Sequence, residues 1–196
     1  MTERQEIGND DARFLLSERW SDAPMIGFAG MNPSEASERR TDPTWLRWRF
    51  YAQRWGYGAM MVANPVPFKS SSPAAAIDRL RLIANGQDVQ GLEVLEENLR
   101  YVHAIREMPQ AWVIGWGDKG AEMNRTLRVH KQFMKALESP MTRMLCFGLT
   151  IGGNPKHVLA RGTSRLADDA PVYLFSHDPN AVGAMVDPAP KSTPHP

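Results

Sequence analysis

Four short stretches of the chain are apolar at almost every position: Met25 to Ala29, Ala59 to Ala63, Trp112 to Gly115 and Arg143 to Phe147. Strands with one wet face alternate apolar and polar residues, whereas strands covered on both faces do not. These four runs therefore predict a short, mainly parallel sheet buried between helices. The stretches between them carry helical periodicity. Asp42 is a good N-cap, Pro43 suits the first helical turn and Gly56 a stop, so Pro43 to Trp55 predicts a helix, with Trp45, Trp48, Ala52 and Trp55 toward the core. Gly91 to Glu107 predicts a second, with Leu92, Leu95, Leu99, Val102 and Ile105 as its apolar stripe. A weaker pattern covers Lys119 to Leu137, and the proline after Lys69-Ser70-Ser71-Ser72 opens a short helix to Ile83. The alternation is that of an α/β domain with three layers, αβα, around a four-stranded sheet.

Beyond Gly162 the pattern fades. Pro171 to Phe175 reads as a late strand, and the proline-rich end as a mobile tail. The expected organisation is one domain over residues 1–175 with a tail over 176–196. The chain has 196 residues, enough for one real core. No run nears the roughly 20 apolar residues of a membrane span, and the polar start is not a secretory signal. The single cysteine, Cys146, lies in an apolar run and reads as a buried structural thiol in a cytoplasmic protein. The net charge of +1 excludes a strongly basic or acidic chain. Local charge is more telling: Arg39, Arg40, Arg47, Arg49 and Arg54 are interleaved with Trp45, Trp48, Tyr51 and Trp55. That mixture suits phosphate pairing and base stacking, or equally a helix with an aromatic core face and a solvated basic face.

Each predicted strand ends in a polar or glycine-bearing turn. These are Gly30-Met31-Asn32-Pro33-Ser34, Asn64-Pro65-Val66-Pro67-Phe68, Gly115-Trp116-Gly117-Asp118-Lys119-Gly120, and Gly148 through Gly152-Gly153-Asn154-Pro155-Lys156-His157. Open α/β sheets bind ligands outside the carboxyl ends of their strands, so the four turns are expected to converge. Asn-Pro recurs at 32–33, 64–65 and 154–155; proline stiffens the backbone before it, and the amide can be aimed at a ligand or a water, or can simply start a turn. His157 suits proton transfer, stabilisation of an anion or simply the capping of a loop, and Asp42 either caps its helix or acts near the Asn32 turn. No P-loop occurs, and Gly115-x-Gly117-x-x-Gly120 lacks the acidic residue of a dinucleotide site, so no cofactor is expected. No His, Cys or carboxylate set has metal-ligand spacing, and no metal is expected.

Met31-Asn32-Pro33-Ser34, Asp42-Pro43-Thr44, Arg54-Trp55-Gly56-Tyr57-Gly58, Val62-Ala63-Asn64, Trp116-Gly117, Gly148-Leu149-Thr150 and Pro155-Lys156-His157 together resemble a bacterial and phage family known only as domain of unknown function 1643. The chain departs from it at Pro65, Pro67 and past Ala160. The order of the turns also resembles, more weakly, the uracil-DNA glycosylase superfamily. There an Asn-Pro or Asp-Pro turn holds a catalytic water, a strand ends in asparagine, and a last loop carries a histidine. That resemblance implies a nucleic-acid or nucleotide enzyme acting on a base or its N-glycosidic bond, with DNA or a nucleotide as partner and no membrane. Asn32 would position the water, Asn64 read a base edge and His157 steady the leaving base, with Asp42 the third catalytic candidate. Met31, Pro33, Ser34, Phe68, Trp116, Gly117 and Asn154 would line the substrate site. Arg39, Arg40, Arg47 and Lys156 would contact phosphate. The alternative is a non-catalytic module for a nucleotide or modified base, in a phage or host-defence setting.

Overall fold

The computed structural model describes residues 3–33, 42–70, 72–175 and 182–190. The four apolar runs form strands β3 (Met25–Ala29), β4 (Ala59–Ala63), β5 (Ala111–Ile114) and β6 (Arg143–Cys146), mutually parallel in the order β4-β3-β5-β6. They are only the centre of the sheet. Strands β1 (Glu3–Gly8) and β2 (Arg13–Arg19) add antiparallel on the β4 side, and β7 (Val172–Phe175) and β8 (Val182–Val186) on the β6 side. The sheet is thus eight-stranded and mixed, not the expected four-stranded, mainly parallel one.

The additional strands have a common reason for escaping the hydrophobic pattern. Edge strand β1 is largely exposed and reads as polar, and β2 buries two charged residues, Arg13 and Glu18, which interrupt its apolar run. Val182–Val186, assigned from sequence to the tail, pairs with β7 instead.

Side chains of the central strands alternate between two cores. Ile26, Phe28, Met60, Val62 and Val113 meet α1 (Pro43–Arg54) on one face through Trp45, Trp48, Tyr51 and Ala52. Met61, Ala63, Trp112 and Ile114 meet α2 (Pro73–Ala84), α3 (Val89–Ile105) and α5 (Val129–Leu137) on the other. Right-handed crossovers account for this split. The chain leaves β3 toward β4 in one direction, then returns past β3 to β5 and β6 in the opposite one. Gly27 is obligatory beside Trp112, because a Cβ there would lie 2.4 Å from the indole. The expected Lys119 to Leu137 helix is two helices, α4 (Gly117–Leu127) and α5, broken at Arg128, whose φ is +51°. No helix among the described residues is long and apolar enough to cross a membrane.

Two buried ionisable groups mark the energetics. Glu18 is 3% exposed and accepts from Arg4 at 2.9 Å and from Trp45 Nε1 at 2.9 Å, with Arg49 at 3.1 Å. It fastens α1 to β2, and through β2 to β1. His130, on α5, is buried against the Trp116 ring at 4.4 Å between centroids, and neither ring nitrogen has a hydrogen-bond partner. Burial pushes its pKa down to about 3.

Removing the carboxylate takes a buried counter-charge from two guanidinium groups. Glu18→Ala is expected to cost about 3–5 kcal/mol in chemical denaturation, the range for a broken buried ion pair. The depressed histidine makes stability depend on pH. Between the ordinary histidine range and about 3, the unfolded chain binds a proton that the folded chain refuses, so stability falls as pH falls through this window. The slope approaches about 1.4 kcal/mol per pH unit. His130→Phe should flatten that limb of the stability–pH curve, which thermal unfolding between pH 4 and 7 measures.

Candidate functional site

Strands β3 and β5 are neighbours whose outgoing connections run in opposite directions, toward β4 and toward β6. Their carboxyl ends therefore part, and a crevice forms where open α/β sheets place their ligands. A cavity of about 690 Å³ occupies this place. Its walls are the turns after β3, β4 and β5, the start of α1, and the segment around His157.

The first turn is built by side-chain amides. Asn32 lines the cavity, and its Nδ2 donates to the carbonyls of Pro33 and Ser70, each at 3.0 Å. The amide nitrogen is thereby used to hold the turn, and among the described residues Oδ1 remains as an acceptor. Asn64 is wired in the opposite sense. Its Oδ1 accepts from the Gly30 backbone N–H at 3.1 Å, which leaves Nδ2 as a donor. The Asn64 carbonyl in turn accepts from Asn98 Nδ2 at 2.9 Å, deep beneath α3. Gly30 admits no side chain: a Cβ would meet Trp48 at 2.9 Å and Asn64 Oδ1 at 3.0 Å.

The loops after β5 and β6 are clamped to each other. Gly117 donates its N–H to the Pro155 carbonyl at 2.9 Å, and within the second loop the Lys156 backbone N–H donates to the Gly148 carbonyl at 3.0 Å. Gly115 approaches so closely that a Cβ would lie 2.9 Å from the Lys156 carbonyl oxygen. Asp118, at the start of α4, accepts from the Thr150 hydroxyl and from Asn154 Nδ2 at 3.0 Å. These contacts bring His157 to the cavity wall, with its ring tilted against Trp48 at 6.4 Å between centroids.

His157 Nδ1 accepts from the Leu159 backbone N–H at 3.1 Å. A neutral imidazole that accepts at Nδ1 carries its proton on Nε2, so the group is a donor at its other nitrogen. Burial pushes its pKa below the ordinary value, and the nearby charge of Asp42 partly opposes this. Asp42 caps α1, accepting from Trp45 N–H at 2.7 Å, and also lines the cavity. Arg13 lines it too, although only 4% exposed; burial pushes its pKa down, while the charges of Glu6 and Asp42 push it up. Among the described residues no cluster of three or more His, Cys, Asp or Glu could hold a metal ion.

Of the residues singled out in the sequence, Met31, Asn32, Asp42, Asn64, Trp116, Gly117 and His157 line the one cavity. Pro33 is buried and Phe68 lies in the core with the Arg79 guanidinium 3.9 Å above its ring, so Phe68 is not placed to stack on a base. Asn154 serves the Asp118 clamp. Arg47 pairs with Asp168 at 2.6 Å and donates to the Leu166 carbonyl and the Tyr51 hydroxyl, which ties α1 to the segment after His157. Lys156 lines a different cavity, of about 600 Å³, beside Phe147 and Tyr173. Ser34, Arg39 and Arg40 lie outside the described residues.

Arg13, Asp118, Lys119 and Arg161 line the cavity without having been singled out. Asp118 was legible as the first charged residue after the Trp116-Gly117 turn. Arg13 carried no signal, because the strand that bears it was not read.

No curated protein matches the chain, and no solved structure does. A family model matches residues 13–159, from Arg13 to Leu159, both of them residues of the cavity wall. By that match the chain belongs to the family described as Protein of unknown function (DUF1643).

Proposed function

We propose that the protein is a base-processing enzyme of glycosylase-like architecture, which acts on a nucleobase or its N-glycosidic bond, in a nucleic acid or a nucleotide, with a positioned water. The observation that carries this reading is the meeting of Asn32, Asp42, Asn64 and His157 around one cavity walled by Trp48 and Trp116. Support for the likeness to the uracil-DNA glycosylase superfamily comes from the order of the turns on the central parallel strands.

The four groups divide the work by what their hydrogen bonds leave over. A base between the indoles accepts from Asn64 Nδ2 at a ring carbonyl. Asn32 Oδ1 and the Asp42 carboxylate accept from a water on the sugar side. As the C1′–N bond breaks, its electron pair passes to the base nitrogen; the water oxygen bonds to C1′ and its proton passes to Asp42. His157 donates from Nε2 to the departing base. A neutral donor serves here, because it stabilises the anion without having to yield its proton.

Base release from nucleosides, nucleotides and oligonucleotides bearing uracil, hypoxanthine or hydroxymethyluracil, followed by chromatography, tests the proposal. Asn32→Ala should lower turnover by about a hundredfold, and loss of the His157 donor by about a hundred- to a thousandfold, with the fold retained. If none of these substrates loses its base, the hydrolytic reading is wrong. Nitrogen-15 spectra test the histidine separately: His157 should carry its proton on Nε2 and titrate below the ordinary range. Because Asp42 raises that pKa, Asp42→Asn should lower it further.

A further inference from the structure

We infer that the cavity takes a single free nucleotide, with its phosphate at the rim between Lys119 and Arg161, and not a base within a nucleic-acid strand. This rests on the base-processing reading of the same site and narrows its substrate.

A polyanion is held by a row of available cations along its path, and the two long helices whose starts border the cavity, α1 and α2, offer no such row. On α1, Arg47 is bound to Asp168 and Arg49 to Glu18. On α2, Arg79 is bound to Asp11 and Asp88, and Arg81 to Asp78 and Glu122. These four guanidinium groups are committed to carboxylates of the protein itself, which leaves α1 only Arg54 at its far end, and the net charge of the chain is only +1.

The cavity rim differs. Lys119 and Arg161 line it from separate segments, both exposed, and neither has an ion pair among the described residues. Two cations from separate segments at one mouth suit a single phosphate, with the guanidinium able to grip it through two N–H groups. Arg13 adds positive charge deeper in the wall. Two carboxylates also face the cavity, but both are engaged: Asp118 accepts from Thr150 and Asn154, and Asp42 caps α1. The volume of about 690 Å³ falls within the span of about 300–1,000 Å³ usual for small-ligand sites.

Titration calorimetry with nucleoside 5′-monophosphates, the parent nucleosides, and single- and double-stranded oligonucleotides of the same bases decides the matter. At least one monophosphate should bind about tenfold or more tightly than its nucleoside, an added charge-assisted contact being worth at least one such factor. The double variant Lys119→Ala, Arg161→Ala should bring that ratio close to one with no change in melting temperature. Oligonucleotides should bind no more tightly than the monophosphate. An oligonucleotide bound tenfold more tightly, a phosphate advantage that survives in the double variant, or no saturable binding of any monophosphate each overturns the inference. Binding of a monophosphate without base release supports it while sinking the hydrolytic reading; base release from oligonucleotides alone does the reverse.

Discussion

The backbone N–H of Gly30 donates to a side chain 34 residues further along the chain, the carboxamide of Asn64. That bond joins the ends of β3 and β4 at the point where β3 meets the crevice. A buried N–H left without a partner costs about 1–3 kcal/mol, so the joint is strongly specified. Because Gly30 has no side chain, Trp48 can close over the joint. Asn98 then fixes the Asn64 backbone from the opposite layer. The orientation of both cavity amides follows: Asn64 has spent its acceptor and Asn32 its donor, so one offers an N–H and the other an oxygen.

Much of the site is made of groups that also hold the fold. Asp42 caps α1 and borders the cavity, while Trp48 belongs to the core beneath α1 and forms a wall beside His157. Asp118 begins α4 and clamps the loop that leads to His157. A site assembled in this way is rigid without added machinery, because its donors and acceptors are oriented by bonds the fold already needs. It also means that substitutions at Asp42 or Trp48 would disturb the fold and the cavity together. Asn32 separates the two better, since its bonds reach only the adjacent turn and Ser70.

The central strands were legible because burial on both faces demands unbroken apolar runs, and Met25 to Ala29 and Ala59 to Ala63 supply them without interruption. Strand β2 was not, since Glu18 and Arg13 are buried in pairs and contacts that hydrophobicity does not register. The split at Arg128 left no mark either, because its left-handed backbone belongs to a residue type that seldom adopts it. For the site, the convergence of the turns followed from topology alone. The errors were of direction: sequence shows that Phe68 is aromatic and Arg47 basic, but not that one faces the core and the other Asp168.

Charge is unevenly distributed over the cavity. Asn32, Asn64 and a histidine whose pKa is lowered by burial line it together with Trp48 and Trp116, a polar but uncharged set that would suit the edge and faces of the proposed base. The cations Lys119 and Arg161 are exposed at the mouth, where pairing with a phosphate costs little desolvation. Arg13 breaks this gradient, a guanidinium 4% exposed in the inner wall. Its charge and that of Asp42 attract each other, so together they add little net potential but a steep local field. A field of that kind does nothing for a neutral base as a whole. Under the proposed reaction it would favour the separation of charge across a breaking bond, with the electron-poor sugar toward the carboxylate, which assigns the pair to the proposed chemistry and the rim to the proposed binding.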